Sequence, residues 1–128
     1  KGLTNTVTLL GRFPTESMPL FFKMADIMLV TLKDEYIFSL TVPGKVQSYM
    51  ASNKPILTML NGAGNDVVFE ANCGFTACAG DYSKLAENVM IASNLSAKNL
   101  EEKGSNALKY YKENFSKNKI IENFIQDL

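Results

Sequence analysis

A chain of 128 residues, 46% apolar and 20% charged, is long enough to bury one core, so a single domain over residues 1–128 is expected. Its 13 basic residues balance 13 acidic ones, which removes any bulk electrostatic reason to expect nucleic acid or an acidic membrane surface as partner. Histidine is absent, which excludes an imidazole base from this chain, and the longest apolar runs fall far short of a membrane span, so a soluble, cytoplasmic setting is expected.

Val7-Thr8-Leu9-Leu10, stopped by Gly11, reads as a first short strand. There is no initiator Met and structure is expected almost at once, which suggests an excised piece of a longer protein. Thr15 to Pro19 reads as a helix start, with Thr15 or Ser17 as cap and Pro19 in the first turn; Leu20, Phe21, Met24 and Ala25 supply its apolar stripe. Ile27 to Leu32 is a continuous apolar run of the kind a parallel strand needs when both its faces are covered. Lys33-Asp34-Glu35-Tyr36 then brings the chain to the surface. Val46, Tyr49 and Met50 form one apolar face of a helix from about Pro43 to Ser52.

Pro55 opens a third strand, Ile56 to Leu60, followed by a Gly- and Asn-rich loop and a helix from Asp66 to about Asn72 with Val67, Val68 and Ala71 inward. Phe75 to Ala79 is a fourth strand. Asp81 or Ser83 caps the next helix, which carries Leu85, Val89 and Ala92 at helical spacing. From Ser96 the pattern is helical in two segments that meet near Asn114-Phe115-Ser116. Leu100, Ala107, Leu108 and Tyr111 stripe the first, where Gly104 reads as a mild weakness, and Ile120, Ile121, Phe124, Ile125 and Leu128 stripe the second. Cys73 and Cys78 match neither a redox pair nor a zinc site; buried structural thiols on opposite faces of a strand are expected.

Strands alternating with helices through short loops predict an α/β fold, a parallel sheet with flanking helices, ending in two C-terminal helices. Four strands are few for a complete layer of this kind, which again suggests truncation. Ligands of such sheets bind beyond the carboxyl ends of the strands, here the loops 11–15, 33–44, 61–65 and 80–82. The stretch from Phe38 to Pro55 stands out among them: a polar loop, Pro43 and the free amides of a helix start make a local anion site, suited to a phosphate-bearing ligand.

Several pieces in order carry a resemblance: Val7 to Gly11, Pro14 to Pro19, Ala25 to Val30, Val42-Pro43-Gly44-Lys45, Tyr49 to Ile56, Glu70 to Gly74, and Tyr110 to Ser116. Together they resemble the carboxyl-terminal donor domain of the GT-B retaining glycosyltransferases, more narrowly family 4 or "glycosyl transferases group 1", and within it the bacterial enzymes of capsule and O-antigen synthesis. The resemblance implies a Rossmann-like half-enzyme that binds a nucleotide sugar, UDP- or GDP-linked, as substrate, with no cofactor and no metal. It also implies that the acceptor-binding amino-terminal domain, through which membrane association would come, and the first part of the donor domain are missing, so that this piece alone is inactive. Two further readings stay open: the donor half of a nucleotide-sugar 2-epimerase, against which the lack of His counts, and a non-catalytic α/β binding domain.

The residues that the resemblance assigns to the donor are Arg12 and Phe13 beside the nucleobase, Gly44 and Lys45 at the diphosphate, and Ser39 and Thr41 at sugar hydroxyls. The family's two signature glutamates fall on Leu40 and Ser48, so both carboxylates are replaced; Ser48 still offers a hydroxyl to the ribose. Each position also has a plain structural reading. Arg12, Lys45 and Ser48 are then solvated surface residues, Phe13 packs locally, and Ser39 and Thr41 cap the helix. Asp34 and Glu35 either face the sugar or belong to a solvated loop. No catalytic residue is identifiable.

Overall fold

The computed structural model describes residues 2–128, and its centre is one strand. β2 (Ile56–Met59) is buried at all four positions. It lies between β1 (Met28–Thr31) and β3 (Gly74–Ala77) in a parallel sheet of order β1-β2-β3, with Met28 opposite Ile56 and Ile56 opposite Gly74. Gly74 has a steric reason: a side chain there would run into the Ile56 carbonyl of the neighbouring strand. The predicted α/β layer is therefore present with three strands rather than four.

Val7–Leu10 is the difference. These residues are irregular and exposed, with Leu9 at 92%. The segment has the composition of a strand, but among the described residues no strand runs beside it, and backbone groups without a ladder partner turn to water instead.

Helices cover the sheet unequally. α3 (Gly44–Ala51) crosses from β1 to β2, and α4 (Ala63–Glu70) crosses from β2 to β3. Strands added in sequence order by crossovers of one hand place both helices on the same face. There Val46 and Met50 of α3 and Val67 and Val68 of α4 enclose Val30 and Ile56. α5 (Tyr82–Ser93) packs on β2 and β3 from the other side. Its main packing stops short of β1, and β1 alternates, with Met28 and Val30 buried and Leu29 and Thr31 exposed.

α4 begins at Ala63, earlier than the Asp66 start expected from sequence, because Gly62 at φ 79 turns the chain and its carbonyl receives the Asn65 and Asp66 amides. α5 is capped as expected by Asp81, which accepts from the Lys84 amide at 2.9 Å. Asn88, not Val89, occupies its buried face, and Asn88 Nδ2 donates to the Thr76 carbonyl at 3.0 Å. In α1 (Met18–Met24) the inward residues are Phe21, Phe22 and Ala25; Leu20 and Met24 are exposed. Ser17 caps nothing, since its hydroxyl donates back to the Pro14 carbonyl at 2.6 Å. Lys54 Nζ ties the far end of α1 down, donating to the Ala25 carbonyl at 2.6 Å and the Lys23 carbonyl at 3.2 Å.

α6 (Ala97–Asn114) and α7 (Lys117–Gln126) are capped by Ser96 and Ser116, each accepting the amide three residues on. α6 packs on α3, and Gly104 is the reason it fits. A side chain there would collide with the backbone carbonyl of Asn53, which sits at φ 62 just past α3. Gly104, read from sequence as a weakness, is thus a packing requirement. α7 packs chiefly on α6 and leaves Ile120, Ile121, Phe124 and Ile125 exposed. Of the cysteines, Cys73 is buried as expected and Cys78 is not: it follows β3 into the surface loop. Burial pushes the Cys73 thiol up to about 11, partly offset by the nearby Lys103 charge.

Two outcomes follow from this packing. At an exposed helix position Gly→Ala stabilises by about 1 kcal/mol; Gly104→Ala is expected to do the opposite and lower stability by about 1–3 kcal/mol. Urea unfolding read by circular dichroism checks it, with Ser105→Ala at the next, exposed position as a variant that lowers nothing. In a thiol titration with a chromogenic disulfide, Cys78 is expected to react in the native protein, and Cys73 only after denaturant is added.

Candidate functional site

The path from β1 to α3 builds the site. Beyond β1 the charges of Lys33, Asp34 and Glu35 keep the chain at the surface, and a single turn, α2 (Tyr36–Ser39), follows. Ser39 closes that turn by donating its hydroxyl to the Tyr36 carbonyl at 2.6 Å. The chain then runs extended through Pro43 (φ −56, ψ 141), and α3 starts at Gly44. Pro43 is seated against Leu60 and α4 at Gly64, which has no side chain to displace it. Gln47 Nε2 donates to the Val42 carbonyl at 3.1 Å and fixes the same turn from the helix side.

No side chain caps α3. Among the described residues the Gly44, Lys45 and Val46 amides meet no acceptor, and the first bond back to the turn is from the Gln47 amide to the Pro43 carbonyl at 3.3 Å. A helix start with bare amides carries partial positive charge. Gly44 is open on its outer side, where a Cβ would meet nothing within 4 Å.

Gly44, the first of the three, lines a groove of about 680 Å³. One wall is the face of α3 formed by Gly44, Gln47, Ser48 and Ala51; the other is Pro19, Phe22 and Lys23 of α1, with Ser52, Lys54 and Tyr111 of α6 completing the lining. Behind the wall Tyr49 meets Phe22 edge-on at 5.2 Å between ring centres, and burial raises its hydroxyl pKa. Lys54 is not an available cation, because its ammonium is committed to the α1 carbonyls. Lys45 is exposed in the first turn of α3.

The structure brings together some of the residues singled out by sequence. Gly44 and Ser48 line the groove; Lys45, next to Gly44 in the same helix, is exposed and does not line it. Arg12 is exposed and Phe13 packs edge-on against Phe21 at 4.8 Å; neither lines the groove. Leu40 is 57% exposed and Thr41 is also at the surface. Ser39 serves α2, so neither it nor Thr41 caps α3. Phe22, Lys23, Gln47 and Tyr111 were not legible as lining residues. The spacing of Gly44, Gln47, Ser48 and Ala51 along one helix face was the available sign: small and polar residues opposite the buried Val46 and Met50.

Chemically, the groove offers the helix start at Gly44, hydroxyls and an amide along α3, an aromatic wall, and Lys23 on the facing helix, with Lys45 exposed next to Gly44 but outside the lining. Among the described residues no group of three or more acidic, Cys or His side chains is placed to hold a metal ion. No described helix is long and apolar enough to cross a membrane.

The model of one protein family, described as "Glycosyl transferases group 1", matches residues 1–94, from the amino-terminal segment to the end of α5. No curated protein and no solved structure matches the chain. The match takes in every strand, the bare start of α3 and almost the whole groove, and it covers most of the sequence, so the chain belongs to the group 1 glycosyl transferases.

Proposed function

We propose that this chain is the donor-binding portion of a retaining, nucleotide-sugar-dependent glycosyltransferase of the GT-B type, working in the cytoplasm on bacterial surface polysaccharide. Membership of the group 1 glycosyl transferases supports the reaction class. The observation that carries the site is the uncapped start of α3 opening on a groove large enough for a nucleotide. On this reading the Gly44, Lys45 and Val46 amides face the diphosphate and Lys45 adds a point charge. As the bond from the anomeric carbon to the diphosphate breaks, negative charge collects on the leaving oxygens, and donors already aimed at them lower the barrier. Ser48, further along the same face, gives the ribose a hydroxyl. Arg12, Phe13, Ser39, Leu40 and Thr41 would contribute only by closing over a bound donor, since none lines the groove. Acceptor recognition belongs to a second domain of the same protein.

Titration of the ¹⁵N-labelled chain with UDP and with GDP tests this reading. The expected result is amide shifts confined to Gly44–Ser48 and the facing residues of α1, weakening as salt is raised. Absence of any shift there at millimolar nucleotide would sink the site. Lys45→Ala is expected to weaken the nucleotide about fivefold, roughly 1 kcal/mol for an exposed charge-assisted contact, while leaving the urea midpoint unchanged.

A further inference from the structure

α7 is a helix with little surface to lie on. None of its 10 residues is buried, and every residue from 120 to 128 is exposed. A helix this short is marginal in water and takes most of its stability from packing an apolar face. α7 has such a face: Ile120, Ile121, Phe124, Ile125 and Leu128 follow helical spacing and are 45–91% exposed. We infer that this face is the two-fold interface of a homodimer, in which α7 of one chain lies antiparallel on α7 of a second copy. The inference stands apart from the nucleotide reading, since no residue of α7 lines the groove.

The apolar rows fit one another. Ile120, Phe124 and Leu128 form one ridge at four-residue spacing, and Ile121 and Ile125 form a second, so each helix offers a furrow that a ridge of the other enters. Turned end for end about a two-fold axis, Ile120 meets Phe124 of the second copy and Phe124 meets its Ile120, the reciprocal pairing of an isologous contact. At these exposures the face amounts to roughly 500 Å² per copy and about 1,000 Å² over the pair, where specific interfaces begin.

Charge selects the occupant and its direction. Lys119 and Glu122 are paired within the helix at 3.9 Å. Lys117 and Asp127 are exposed and have no ion partner among the described residues. Each also stands at the wrong end of its own helix: Lys117 is the first residue of α7, where the macrodipole is positive, and Asp127 is the C-cap, where it is negative. The antiparallel register that sets Ile120 against Phe124 sets Lys117 against Asp127 of the second copy at both ends. Each charge then reaches a helix end of opposite sign. A bilayer surface favours a surplus of lysine on the polar face, whereas here Lys117 and Lys119 are balanced by Glu122 and Asp127.

Sedimentation equilibrium of the chain from about 1 to 300 µM tests the inference. The expected result is a mass that rises from one chain to two, with Phe124→Ser staying at one throughout. Lys117→Glu and Asp127→Lys are each expected to weaken association about tenfold, and the double variant to regain the parent's affinity, because its reversed charges meet again across the axis. A parent chain that stays single at every concentration overturns the inference. So does a dimer that Phe124→Ser leaves intact, or a double variant that associates no more tightly than the single ones. Binding of the single chain to phosphatidylcholine vesicles, with no dimer formed, overturns it in favour of a bilayer surface. Urea midpoints equal to the parent's at the lowest concentration show that the variants fold.

Discussion

Two asparagines hold the working end of the sheet. Backbone carbonyls at the ends of buried strands lose their water and must find donors elsewhere. Asn65, in the first turn of α4, donates to the Leu60 carbonyl at 2.5 Å and the Ala77 carbonyl at 2.9 Å, and accepts from the fully buried Thr58 hydroxyl at 2.5 Å. One side chain therefore satisfies the exits of β2 and β3 and a polar group inside the core. Asn61 does the same one layer further out, between Asp34 and Ala79. No buried side-chain nitrogen or oxygen is left without a partner among the described residues. A half-satisfied network of this kind would cost more than an apolar one, so these loops have little freedom to drift.

The bare start of α3 depends on that rigidity. Uncapped amides are a standing cost to a helix, typically about 1 kcal/mol relative to a good cap. The chain keeps them in place by packing: Pro43 against Leu60 and Gly64, the Ser39 backbone against Gly62, and Gln47 against the Val42 carbonyl. The first two anchors belong to the loop that the asparagines secure. The polar hydroxyls of the approach, which would be the natural caps, are turned away or spent on α2. The amides are thus left facing the groove by the arrangement of their neighbours.

Much of this was legible in the sequence, and the exceptions share a cause. β1 and β2 were visible as continuous apolar runs because a strand covered on both faces has no polar side, and the Asp81, Ser96 and Ser116 caps follow local rules that tertiary packing did not override. Val7–Leu10 has the composition of a strand, but a strand is a property of a pair, and sequence shows only one partner. Gly104 looked like a helix weakness because its reason, the Asn53 carbonyl, lies on another element. At the groove, Gly44 and Ser48 line it from the helix the sequence singled out, whereas Phe22, Lys23 and Tyr111 reach it from helices whose approach only the fold reveals. Arg12 and Phe13 lie away from the groove for the converse reason, since their segment has no sheet to place it.

The two borders of the sheet differ in kind. The amides of Ile56 and Leu60 on β2 take the carbonyls of Cys73 and Ala77, so the intervening Thr76 carbonyl points away from β2, and there Asn88 occupies it. On the outer border of β3 a side chain of α5 thus occupies one of the outward carbonyls. On β1 the Met28 and Leu32 amides turn toward β2, leaving those of Leu29 and Thr31 directed outward, with no further strand beside them among the described residues. The two borders are therefore unequal: β1 presents outward amides with no side chain on them, whereas at β3 one outward carbonyl is already taken by α5.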